Sequence, residues 1–239
     1  MAAKKEVKTE IRFYEPKDRE GVRHVCCGTG FLGKPIDSVF EDRDIFADFL
    51  TAYYTDCEPE LTVVVLQDGQ VQGYIMGSRF PERQKVFEMR MFPLLAARIV
   101  WNYFFVYGSA TRRYINWLLL KGRKETPYTP KGMAHVHFNF LPEYRNVAQT
   151  RKMFDMFLRK LADYGEDAVF GQVVGFEDRR GPRMFARYGF SVRDKVEVTK
   201  FSNYVDHPVF LFTIIKNLKE NVALYGNDLW RAGELETKS

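Results

Sequence analysis

Residues 133–161 read MAHVHFNFLPEYRNVAQTRKMFDMFLRKL, and two different periods meet inside them. His135, His137 and Asn139 alternate with Val136, Phe138 and Phe140, the two-residue period of a strand with one apolar face. Leu141-Pro142 stops the ladder, because proline donates no backbone hydrogen bond. Residues 143–149 turn the chain. Met153, Phe154, Met156, Phe157, Leu158 and Leu161 then recur at helical spacing, with Arg151, Lys152, Arg159 and Lys160 opposite them. A strand that turns straight into a helix aims several unpaired N–H groups and a positive dipole end at one spot. Such a spot suits an anionic group of the phosphate or pyrophosphate kind.

Working outward, Ile11–Tyr14 reads as a short strand, followed by a helix over 16–27 opened by Pro16 and closed by Gly28. Gly28-Thr29-Gly30 is expected as a tight loop, either a simple turn or a substrate contact. A second helix spans 37–54. Leu61–Leu66 and Val71–Met76 form a hairpin signalled by Asp68-Gly69. Residues 80–132 read as a helical hairpin, with helices over 87–106 and 110–120. Past the central helix come a buried strand (168–174), a helix over 177–188, a strand from Ser191 and a last apolar strand, 208–215. The spacing predicts one domain over 1–216, a frayed start and a helical tail over 217–239.

The turn and its flanks resemble a known family. Leu141-Pro142-Glu143-Tyr144-Arg145 before a helix resembles the acyl-CoA-binding segment of the GNAT acyltransferases. Ala134-His135-Val136-His137-Phe138, Thr29-Gly30, Tyr53-Tyr54 and Gly73-Tyr74-Ile75-Met76-Gly77 narrow the likeness to the acetyltransferase-like domain of O-GlcNAcases and its bacterial relatives. The resemblance covers roughly residues 11–200 apart from 80–132. It implies an α/β fold with a mixed, largely antiparallel central sheet flanked by helices, the helical hairpin entering before the fourth strand. It also implies acyl transfer from acetyl-CoA or another acyl-CoA to an amine, borne by a small molecule or a protein.

The sequence departs from the family in three places. The superfamily's phosphate loop, [QR]-x-x-G-x-[GA], keeps Arg145 but has Ala148 and Thr150 where small residues belong, and Asn146 replaces a further glycine. Phe185 stands where a tyrosine often protonates the leaving thiolate, and Asp178 stands at the family's asparagine. Asn139 replaces an aspartate of the relatives. The implied cofactor contacts are Phe140, Leu141, Arg145, Asn146, Val147, Ala148, Gln149, Thr150, Asp178 and Phe185. A backbone N–H near Phe140 and Leu141 would hold the thioester carbonyl. These departures leave two functions open: an acyl-CoA-dependent N-acyltransferase, or a catalytically silent relative that binds a ligand or partner.

His135, His137 and Asn139 share one face of the strand and are the candidate catalytic residues. Histidine titrates near neutrality and can take a proton directly or through water. The alternative is that both histidines are hydrogen-bonded sheet residues lining a polar cleft. His-x-His without a nearby cysteine or carboxylate set is a poor metal group.

Composition bounds the rest. Hydrophobic residues make up 46% and aromatic residues 15% of the 239, ample for a packed core. Three cysteines (Cys26, Cys27, Cys57) make no even disulfide set and suit a reducing compartment. No apolar run reaches the roughly 18 residues of a membrane span, and no signal peptide opens the chain, so a soluble cytoplasmic protein is expected. No nucleic-acid-binding module is present. Residues 79–124 carry ten basic residues against Glu82 and Glu88, a surplus of eight where the whole chain has five. With Trp and Phe interleaved, this segment is expected either to cover the acceptor cleft with most aromatics inward, or to meet a membrane surface, an acidic ligand or a second copy.

Overall fold

A computed structural model describes residues 8–144, 146–177 and 182–219. The expected frayed start (1–7), Arg145, Asp178 and most of the expected tail lie outside the described residues.

The period-two stretches build one sheet: β1 (Thr9–Phe13), β2 (Thr62–Gln67), β3 (Gln70–Ser78), β4 (Ala134–Phe140), β5 (Ala168–Gly175), β6 (Ser191–Glu197) and β7 (Phe210–Asn217). Its order is β1-β2-β3-β4-β5-β7-β6, antiparallel throughout except between β4 and β5. The expected mixed, largely antiparallel sheet flanked by helices is therefore what forms. Asp68 (φ 48°) and Gly69 (φ 79°) both take left-handed backbone at the β2–β3 turn, as a two-residue hairpin with strand-matching twist requires.

Helices α1 (Arg19–Thr29), α2 (Arg43–Asp56), α3 (Pro81–Phe105) and α4 (Ser109–Leu120) cover one face of the sheet, and α5 (Val147–Asp163) and α6 (Pro182–Ala186) the other. The apolar stripe of α5 accounts for the second core: Met153, Phe154, Phe157, Leu158 and Leu161 are buried against Val63, Val65, Ile75 and Val136. Each such large side chain contributes roughly 1.5–3 kcal/mol on burial. Gly77 is what lets α5 sit so close, since a Cβ there would lie 2.5 Å from the Phe157 ring.

Several boundaries differ from the sequence expectation. Helix α1 does not close at Gly28 but runs to Thr29, whose hydroxyl donates back to Val25 O at 2.8 Å. The expected Gly28-Thr29-Gly30 loop is thus helix end. Its glycines admit neighbours: a Cβ at 28 would meet Leu141 Cδ2 at 2.9 Å, and one at 30 the Phe46 ring at 2.6 Å. Helix α3 begins at Pro81, six residues before its apolar pattern starts, because proline at the first helical position loses nothing. The strand from Ser191 stops at Glu197 and gives way to a 3-10 turn, Thr199–Phe201. The aromatics of α3 and α4 divide: Phe87, Tyr103, Tyr114 and Trp117 pack on the core, whereas Phe92, Trp101, Phe104 and Phe105 face solvent.

Candidate active site

Strands β4 and β5 pair over three positions only, Ala134↔Val169, His135↔Phe170 and Val136↔Gly171. Beyond Val136 they part, while β4 runs to Phe140 and β5 to Gly175. On its other edge β4 stays paired to β3 as far as Phe140, and the Leu141 N–H donates to Gln72 O at 2.9 Å. Alternation along an antiparallel ladder then turns the N–H groups of Phe138 and Phe140 away from β3, toward the gap. Of the two amides expected near a thioester carbonyl, the one at Leu141 is spent on β3; the one at Phe140 points into the opening.

The polar face of β4 meets a set of buried hydroxyls. Tyr54 Oη lies 2.8 Å from His135 Nδ1 and accepts a hydrogen bond from Gln84 Nε2 at 3.2 Å. Tyr74, fully buried, has its hydroxyl 3.0 Å from His137 Nε2 and accepts from Asn139 Nδ2 at 2.8 Å. Asn139 Nδ2 also lies 3.2 Å from His137 Nε2. Each tyrosine oxygen accepts one amide proton and has both a second lone pair and its own proton left, so the direction of each tyrosine–histidine bond follows the ring tautomer. The His137 ring is stacked between Tyr54 and Tyr74, with centroids 6.3 and 5.6 Å away.

Burial disfavours the imidazolium in this setting. It pushes His135 down to about 3, assisted by the neighbouring His137, and His137 down to about 4. Both rings are neutral at pH 7. Burial likewise raises the Tyr54 and Tyr74 phenols. It also pushes the Glu88 carboxyl up against the opposing effect of the hydrogen bond from Gln84, whose Nε2 donates to Glu88 Oε1 at 3.0 Å. Tyr54, Tyr74, Gln84 and Glu88 are site residues that the sequence reasoning did not single out. They come from α2, β3 and α3, and only the Tyr-Tyr and Gly-Tyr dipeptides of the family pattern hinted at the first two.

At the far end of the gap the chain enters α5. Asn146 is the N-cap, its side chain accepting from the Gln149 N–H at 3.2 Å, and the Tyr144 hydroxyl donates to Gln149 Oε1. The N–H groups of Val147 and Ala148 find no acceptor among the described residues. Asn146, Val147 and Ala148 are exposed and Thr150 is half-buried. The missing glycines therefore leave side chains at the rim without closing off the helix end.

Other candidates fall elsewhere. Phe185 is buried in the α5–α6 core against Phe212, ring centroids 5.8 Å apart. Cys26 and Cys27 are core residues, the Cys26 thiol pushed up to about 12 by burial. Among the described residues no three His, Cys, Asp or Glu side chains are grouped to hold a metal. A groove of about 330 Å³ lined by Tyr114, Trp117, Lys121 and Lys200 includes no residue of β4.

No family model and no curated protein matches the sequence. Solved structures do match. The crystal structure of SsHAT is 25% identical, aligned over 88% of this chain and 98% of its own with a TM-score of 0.63. Salmonella typhimurium yncA, solved with its cofactor acetyl-CoA, is 13% identical over 88% and 94% (TM-score 0.51). Drosophila melanogaster polyamine N-acetyltransferase, which forms N-acetylagmatine, is 11% identical over 88% and 100% (TM-score 0.51). With its sheet opened between β4 and β5 beside the start of α5, the chain has the fold of these acetyltransferases, that of the GNAT acyltransferases.

Proposed function

We propose that this chain is an acyl-CoA-dependent N-acyltransferase, moving an acetyl group from acetyl-CoA to an amine on a small molecule or a protein. The observation that carries the reading is the early parting of β4 and β5 next to a helix N-terminus with open amides. The pyrophosphate would sit at the Val147 and Ala148 amides, with Arg145 adding charge. The pantetheine arm would lie in the gap, and the thioester carbonyl would take the Phe140 N–H, which also meets the oxyanion as it forms. Attack of the amine makes the C–N bond and the nitrogen gives up its surplus proton to solvent; collapse breaks the C–S bond and releases the CoA thiolate, which takes a proton from solvent because Phe185 has none to give.

The acceptor must arrive without its extra proton. His135 and His137 are weak bases here, and each has one ring nitrogen engaged by a tyrosine hydroxyl, so they orient the acceptor, together with Asn139. The burial that lowers their pKa values also disfavours an ammonium, and that effect supplies the neutral amine. The similar fold of yncA, solved with acetyl-CoA, supports an acetyl donor.

A silent, ligand-binding relative is the second reading, favoured by Phe185 in the core and by the engaged histidine nitrogens. Thermal melting separates the two. Acetyl-CoA at 100 times its dissociation constant adds about 2.7 kcal/mol of stability. A melting point unmoved by acetyl-CoA, longer acyl-CoAs and free CoA refutes the enzyme; stabilisation without CoA release across an amine panel selects the silent reading.

A further inference from the structure

Helix α3 has two faces of opposite use. Gln84, Phe87, Leu95 and Ile99 turn toward the sheet, whereas Met89, Val100, Trp101, Phe104 and Phe105 turn outward at helical spacing. Trp101 is 64%, Phe104 67% and Phe105 70% exposed, and Met89 is 58% exposed. This outward stripe joins exposed Pro93, Ala97 and Arg90 along a helix of 25 residues. Nothing in the core needs these side chains. In water, each costs free energy that burial elsewhere would recover.

The charge beside the stripe selects what covers it. On the same helix Arg83, Lys85 and Arg90 are exposed, and none makes an ion pair among the described residues. A second copy docking face to face would set these unpaired cations against their own copies, which is repulsive. A convex single-helix face of Trp, Phe, Met and Val edged by Arg and Lys matches the interface of an anionic bilayer instead, where aromatics enter the headgroup region and cations meet lipid phosphates. No described helix is long and apolar enough to cross a membrane, so the contact lies in the plane of the surface.

We propose that the outward face of α3 docks this protein on anionic membrane surfaces through Trp101, Phe104 and Phe105, with Arg90 and its neighbours holding acidic headgroups. The docked helix is the one whose inner face carries Gln84 to Tyr54, so the acceptor cleft opens beside the bilayer.

Flotation of the full chain tests this. With phosphatidylcholine vesicles containing about 30% phosphatidylserine at about 0.1 M salt, the protein floats; with phosphatidylcholine alone, or at about 0.5 M salt, the bound fraction drops several-fold. W101E/F104E reduces binding at least about tenfold, and R90E reduces it by a smaller factor, both with unchanged circular dichroism and melting point. Brominated lipid quenches the wild-type tryptophan emission, and W101F loses that component. Three results overturn the proposal: no flotation on either vesicle; flotation untouched by W101E/F104E; or light scattering that shows a dimer dissolved by W101E/F104E without lipid binding. Co-elution of the lipid-free protein with an acidic polypeptide, lost in W101E/F104E while vesicles are not bound, also overturns it.

Discussion

Replacing Tyr74 by Phe removes one oxygen from a fully buried position and changes nothing in shape. That oxygen has three hydrogen-bonding side-chain neighbours, His137 Nε2 at 3.0 Å, Asn139 Nδ2 at 2.8 Å and the Cys26 thiol. Without it, Asn139 Nδ2 keeps only the longer contact to His137 Nε2 at 3.2 Å, and the Cys26 thiol and the half-buried amide both lose a partner. A buried polar group stranded in this way costs about 1–3 kcal/mol, and the lost tyrosine–histidine bond about 0.5–1.5. The expected penalty is about 2–4 kcal/mol, a large share of the roughly 5–15 kcal/mol of a typical domain. Urea unfolding at constant m should move the midpoint down by about 1 M. Crossing Y74F with N139A separates the pair: coupling of at least about 0.5 kcal/mol is expected for groups in one network. A midpoint within about 0.2 M of wild type, or additive single effects, would show that the hydroxyl is not the hub described here.

Three further outcomes follow from the same geometry. His135 and His137 have folded pKa values near 3 and 4, below the ordinary histidine range, so the unfolded chain binds more protons and stability falls as pH drops below about 6.5. The slope approaches about 1.4 kcal/mol per pH unit per histidine between about pH 6 and 4; H137Q should flatten it, and an unchanged slope in both H135Q and H137Q contradicts the buried-neutral assignment. F185Y places a hydroxyl in the core beside Phe212, so it should destabilise by about 1–3 kcal/mol without raising turnover; a rise in acetyl transfer would mean the ring reaches the thiolate. G77A drives a methyl to within 2.5 Å of Phe157 and 2.7 Å of His135 O, and should cost about 1–3 kcal/mol in chemical denaturation; a neutral result would mean α5 shifts freely.

The strands, their hairpin and the apolar stripe of α5 were legible because each is written in a local period. The ends of α1 and α3 were not, because a helix continues through glycine or begins early at proline when tertiary packing permits. The polar partners of β4 lay beyond local reading: Tyr54 is 81 and Tyr74 is 63 residues from its histidine, and a buried tyrosine looks like any core aromatic in sequence. The face of α3 was half legible. Its aromatics belong to both faces, so composition alone could not say which would meet water.

The separation of β4 from β5 leaves a half-stitched seam, with strand edges that lack their usual neighbour. Val136, inside the stitched part, should be slow in hydrogen–deuterium exchange, whereas Phe138 and Phe140 should exchange fast until an extended molecule with amide groups of its own lies alongside. A pantetheine carries two such amides. So does any short peptide, which makes strand-mimicking compounds the natural inhibitor chemistry for this seam.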